Sequence, residues 1–184
     1  MKIYKTPMSP KGAERLGNLV CMTEVMSEDA AAALAIDRAH EVICVQHQGG
    51  GIVLIGPDGR KTRVRQDHIN RSQVNEERAL VKRELELTPK NLQPKDIILK
   101  PLAIGEDHIQ KLKEIVSMTT APNELFAFLM AVTITHFLVE AKYHNGMDIL
   151  ARKKDGSETE IPFPEVPTLP KSAYRKINIP ELEA

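Results

Sequence analysis

One stretch of this chain reads twice. Residues 15–40 align with residues 111–136 at a constant offset of 96: Leu16 falls on Leu112, Val20 on Val116, Met22 on Met118, Thr23 on Thr119, Glu28 on Glu124, Ala31 on Ala127, Ala35 on Ala131 and His40 on His136. With one residue inserted the offset becomes 97, and His47 meets His144, Gly49 meets Gly146, Asp58-Gly59 meets Asp155-Gly156 and Thr62 meets Thr159. Upstream, residues 3–8 resemble residues 97–102 at an offset of 94, which lays Pro7 on Pro101. The matches run in one order with small gaps and coincide with turn and cap signals, which constrains the fold more than any single motif does. The chain is expected to be a tandem-duplicated helix–helix–β-hairpin unit of the α+β class, its halves forming a pseudo-twofold body. The expected division is repeat copy one over 1–66, a connecting helix and linker over 67–94, repeat copy two over 95–162 and a Pro-rich C-terminal strap over 163–184.

Each copy opens with a short extended segment ending at Pro7 or Pro101. First helices are expected near 10–24 and 107–119; in the second, Ile109, Leu112, Ile115 and Val116 recur at helical spacing. The second helices have clear starts, Ser27-Glu28-Asp29 and Asn123-Glu124, each a capping side chain followed by first-turn acid. They end before Gly49 and Gly146, residues free to take positive φ. That gives helices near 28–47 and 124–144, about 30 Å long at 1.5 Å per residue. Ala30 to Ala33 and Ala35 line the first, whereas Phe126, Phe128, Leu129 and Met130 line the second. Small side chains facing large ones suit two helices packed against each other. A hairpin follows in each copy, around Asp58-Gly59 and Asp155-Gly156, a strong turn signal between apolar runs. Between the copies, residues 72–87 read as a charged, amphipathic connecting helix. After the second hairpin, prolines at 162, 164, 167, 170 and 180 exclude a long helix or a central strand.

The run from Leu125 to Val139 has no charge, but it is shorter than the roughly 20 apolar residues of a bilayer crossing and contains Thr133, Thr135 and His136. It reads as a buried core helix, and no membrane partner is expected. Two cysteines make no disulfide framework, and a cytoplasmic setting is the expectation. Formal net charge is zero, so no whole-molecule field draws the chain to nucleic acid.

Charge is distributed unequally between the hairpins. Copy one carries Arg60, Lys61, Arg63 and Arg65 where copy two carries Ser157, Glu158 and Glu160, so Lys61 aligns with Glu158 and Arg63 with Glu160. Lys61, Arg63 and Arg65 share one strand face. Three readings fit: opposite charges paired across the pseudo-axis, a basic patch for phosphate or an acidic partner, or a solvated face. Arg60, Lys61, Arg63 and Arg65 are taken as the candidate ligand-binding residues. His40, Cys44 and His47 lie on one side of the first long helix, and His136, Glu140 and His144 on one side of the second. All six are metal-ligand types, but three-ligand sites on one helix are uncommon, and a core interface with helix-end histidines accounts for them more simply.

No P-loop, dinucleotide fingerprint, nucleophile elbow or zinc-protease motif is present. The glycines of "QGGGIV" follow a helix and open a strand, the reverse of a phosphate cradle. The sequence therefore points to a non-enzymatic binding or regulatory protein with no cofactor, a dimer-like body in one chain, whose partner is a protein or a phosphorylated small molecule. One alternative is a winged-helix-like nucleic-acid binder, although its reading helix would be Ala-rich or apolar rather than polar. A metal-dependent enzyme using the helix histidines is the other. A chain of this size without catalytic motifs also suits a phage or mobile element.

Overall fold

A computed structural model describes residues 1–64, 79, 81 and 97–164. The order is β1 (Lys2–Met8), α1 (Pro10–Thr23), α2 (Glu28–His47), β2 (Gly51–Ile55), β3 (Lys61–Val64), β4 (Ile98–Ile104), α3 (Glu106–Met118), α4 (Glu124–Tyr143), β5 (Asp148–Arg152) and β6 (Glu158–Glu160). The fold is α+β, these helices lying with two small antiparallel sheets among the described residues, and the order β-α-α-β-β occurs twice. The connecting helix over 72–87 lies outside the described residues except for Ala79 and Val81, both helical, with Val81 buried. The strap over 163–184 does too, except for its start: Phe163 is buried and the Pro164 carbonyl accepts a hydrogen bond from the Tyr143 hydroxyl.

The long helices begin where their caps dictate. The side chains of Ser27 and Asn123 accept from the backbone N–H groups of Ala30 and Phe126, at 3.2 Å each. The helices pack on each other, and the Thr135 hydroxyl donates to the Ala35 carbonyl of the facing helix at 3.0 Å. Such an approach needs small residues at the crossing. Ala31, Ala35 and Ala39 on α2 and Ala127, Ala131 and Thr135 on α4 are all buried. The expected division into a small helix and a large one thus holds only away from the crossing, where Ala32 on α2 occupies the position that Phe128 occupies on α4. By length and composition α4 is apolar enough to cross a membrane, yet it packs against α1, α2 and α3 and is the central core helix.

Three equivalent pairs meet, β1 with β4, α2 with α4 and β2 with β5, and α1 packs on α4 as α3 packs on α2. β1 pairs antiparallel with β4, and β2 with β5, so the two hairpins merge into one sheet of order β3-β2-β5-β6. Ile52, Leu54, Val64, Ile149, Ala151 and Ile161 turn into the core with the helices.

The β1–β4 ribbon corrects two expectations. The strands do not end at Pro7 and Pro101 but run through them to Met8 and Ile104. Their burial patterns coincide at an offset of 96, not 94, so Pro7 corresponds to Ala103 and the two prolines are not equivalent. This position has a physical consequence: Ala103 N–H donates to the Asp29 carboxylate at 2.9 Å. Pro7 has no N–H to offer, and the residue corresponding to Asp29 is Leu125. The inserted residue also sits later than the sequence match places it. α2 and α4 end together at an offset of 96, so His47 corresponds to Tyr143, and His144 is the residue after the helix. The extra residue falls in the turn, where Asn145 N–H reaches back to Glu140 O.

Candidate functional site

The histidine stripes do not converge. His40 Nε2 lies 2.6 Å from Glu114 Oε2 on α3, whereas the equivalent His136 Nε2 lies 3.5 Å from Asn18 Nδ2 on α1. Glu114 and Asn18 are themselves equivalent at the offset of 96, as are Lys111 and Arg15, which reach Asp37 and Thr133 respectively. Each long helix therefore spends its histidine stripe on the first helix of the other half. His47 is exposed at the end of α2, and His144 follows α4 with its imidazole pKa held down by burial. Among the described residues no group of three His, Cys, Asp or Glu side chains could hold a metal ion, so the six candidate ligands form no centre.

Cys44, His40 and Glu114 resemble a nucleophile–base–acid set but do not act as one. Cys44 Sγ is 3.6 Å from His40 Nε2 and 3.9 Å from Nδ1, and Glu114 already occupies Nε2 at 2.6 Å. Burial pushes the Cys44 thiol pKa up, so the thiolate is disfavoured.

His136 is a buried neutral base. Desolvation, aided by the positive charges of Arg15 and His144, lowers its pKa from 6.5 to about 4. Its Nδ1 lies 3.5 Å from Glu140 Oε1, an approach that is not an ion pair while the ring is neutral, and Nε2 accepts from Asn18. Because the unfolded imidazole takes a proton near pH 6.5 and the folded one only near 4, the unfolded chain binds more protons between those values. Stability is then full above pH 6.5 and falls as the pH drops toward 4, by about 3 kcal/mol for a shift of this size. Burial raises the pKa of neighbouring Glu140, which has the opposite sign, favouring the fold at low pH. Urea melts between pH 7 and 5 should show stability declining with acidification, and His136→Gln should flatten that slope. An equally steep slope in the variant would remove His136 as its source.

The basic hairpin of copy one is divided among several roles. Arg60 is 89% exposed and lies 3.8 Å from Asp58. Lys61 reaches Glu158 at 3.1 Å, as the sign-inverted alignment anticipates. Those two residues sit on opposite edge strands, so the sheet must curl toward this face, and Val53 beneath is only 2% exposed. Hydrogen bonds from Arg152 first and Lys61 second hold the Glu158 carboxyl pKa below the usual range. Arg63 turns along the sheet to lie over Gly51, where an added Cβ would come within 3.4 Å of its Nε. Arg65 lies outside the described residues.

Arg63 borders a cleft of about 280 Å³ with Arg152, Lys153 and Lys154, floored by the Gly49–Gly51 turn and Val53. The β2–β5 pairing makes this possible by setting Arg152 opposite Gly51, which brings the turn of the second hairpin beside the end of α2. Among the described residues, Glu158 pairs Arg152, while Arg63, Lys153 and Lys154 have no ion-pair partner. The glycines are structural: Gly49 takes φ +86°, and the Gly49 and Gly50 N–H groups close the helix by donating to Gln46 and Val45 carbonyls. Neither of those two amides is left for an anion. At the corresponding end of copy two the positions of Gly51 and Arg63 hold Asp148 and Glu160, and Ile55, Gly56 and Pro57 replace the three cations. The cleft is basic at one end of the body only.

Of the residues lining this cleft, the sequence reading named Arg63 and did not name Arg152, Lys153 or Lys154. Their signal was the basic run in "ARKKDG", which read simply as the approach to a turn. No known protein family, curated protein or solved structure matches this chain.

Proposed function

We propose that this chain is a non-enzymatic binding protein, a fused dimer in origin, that takes the anionic part of a phosphorylated partner in the cleft between its two hairpins. The observation that carries this reading is the convergence of Arg63, Arg152, Lys153 and Lys154 around one hollow whose lining holds no carboxylate, with Glu158 pairing Arg152 from outside it and Asp155 beside the two lysines in the adjoining hollow. Arginine forks and lysine ammonium groups suit phosphate oxygens. Duplication and fusion free one copy to change its surface, and the difference between the two ends is what such freedom produces.

The nucleic-acid alternative draws no support from the long helices. No residue of α2 before His47, and none of α4, is exposed, so neither has a face to lay in a groove. The metal-enzyme alternative has no ligand set among the described residues.

Pyrophosphate should raise the melting temperature and bind saturably, with affinity falling as salt rises because exposed charges are screened. Arg63→Ala combined with Lys154→Ala should weaken binding at least tenfold without altering the melt of the free protein. Absence of any pyrophosphate binding at low salt would overturn the proposal, and so would undiminished binding by the double variant.

A further inference from the structure

The basic cleft continues into a second hollow of different chemistry. That hollow, about 230 Å³, is lined by Val45, Gln48 and Asp155, and it shares Lys153 and Lys154 with the first. The first hollow presents cations around a glycine floor. The second adds an aliphatic surface, a primary amide and a carboxylate. Asp155 Oδ1 is occupied by the Ser157 N–H at 2.9 Å and the Ser157 hydroxyl at 2.6 Å. Its Oδ2 and the Gln48 side-chain amide take no hydrogen bond among the described residues, and both residues line the hollow.

Resting on the anion-binding reading above, we infer that the ligand is a sugar phosphate: a phosphomonoester whose uncharged part carries vicinal hydroxyls. The phosphate belongs among Arg63, Arg152 and the two lysines. The hydroxylated part belongs beside Gln48 and Asp155, where a carboxylate oxygen accepts from hydroxyl groups and an amide both donates and accepts. Asp155 would repel a second phosphate, which disfavours a polyphosphate lying along both hollows. No aromatic side chain lines either hollow, so a nucleobase would find no stacking surface. The halves contribute unequally: Gln48, Val45 and Arg63 come from copy one, Arg152 to Asp155 from copy two, and the site exists only because β2 pairs with β5.

Calorimetry with ribose 5-phosphate and with inorganic phosphate on the full chain tests this. Ribose 5-phosphate should bind at least tenfold tighter than inorganic phosphate. Gln48→Ala should remove most of that advantage while leaving inorganic phosphate affinity unchanged, and Arg63→Ala should weaken both. Equal affinities for the two probes would overturn the sugar-phosphate assignment and leave the anion reading standing. Binding of neither would overturn both. Tight, salt-sensitive binding of a short DNA duplex with no binding of ribose 5-phosphate would overturn the sugar-phosphate assignment in favour of a nucleic-acid backbone.

Discussion

Phe128→Ala should cost about 3–5 kcal/mol of unfolding free energy, the range for removing a buried aromatic ring when surrounding side chains only partly collapse into the space. Phe128 is 2% exposed and sits on α4, the helix that contacts the other three. The neighbouring turns leave little freedom to close the void. Ala127 and Ala131 beside it in sequence are fully buried, and at the nearby crossing the two long helices are already joined by the Thr135–Ala35 hydrogen bond. Moving α4 inward would disturb that contact and the β2–β5 sheet beneath. Phe137, on the same helix but only partly buried, supplies the comparison: Phe137→Ala should lose less than half as much. Urea denaturation of both variants provides the measurement. Equal losses, or a loss below about 1.5 kcal/mol at position 128, would mean that α4 is not the centre of the core.

Where the chain carries punctuation, its fold was legible. Ser27 and Asn123 announce helix starts, Gly49 and Gly146 announce ends, and Asp-Gly announces two hairpins; all six act as their chemistry requires. The β1–β4 ribbon was not legible as a pair. Its prolines were the loudest residues in either strand, and they aligned the segments two residues out of register. Proline marks a missing donor, not a repeat position, and the shared burial pattern at an offset of 96 sets Pro7 level with Ala103, whose N–H donates to Asp29. The merging of the hairpins was equally silent, because Ile52 to Ile55 and Ile149 to Ala151 are apolar enough to pair with many neighbours.

The candidate site shows the same division. The Lys61–Glu158 pair was one of three readings that opposite charges at aligned positions allowed. The partners of His40 and His136 were not legible, because helical spacing tells which side of a helix a residue occupies but not which helix covers that side. Nor could spacing reveal the cleft. Lys153 and Lys154 lie about 100 positions from Gly50 in sequence, and only long-range strand pairing makes them neighbours.

Gly50→Ala should be the most damaging single methyl in the described chain, because it strikes the joint on which both fold and cleft depend. A Cβ at Gly50 would lie 2.3 Å from the Arg152 carbonyl oxygen, 2.8 Å from Val45 Cγ1 and 3.0 Å from the Val45 carbonyl oxygen. Two of the three obstacles are backbone, so no rotamer change relieves them. Either α2 must loosen its last turn, where Gly50 N–H donates to Val45 at 2.9 Å, or β5 must move away from β2. The cost should reach about 3 kcal/mol, the upper part of the usual range for overpacking. Gly17 separates this cause from any general effect of replacing glycine. It lies within α1 with nothing inside 4 Å of its added Cβ, so Gly17→Ala should stabilise by about 0.5–1 kcal/mol through helix propensity. Since displacement of Arg152 carries Lys153 and Lys154 with it, the Gly50 variant should also lose anion binding under conditions in which it remains folded. Full pyrophosphate affinity in a folded Gly50→Ala protein would show that the cations grip the ligand independently of the β2–β5 joint, and a melt unchanged from the parent would show that the helix end and the strand stand farther apart than the backbone places them.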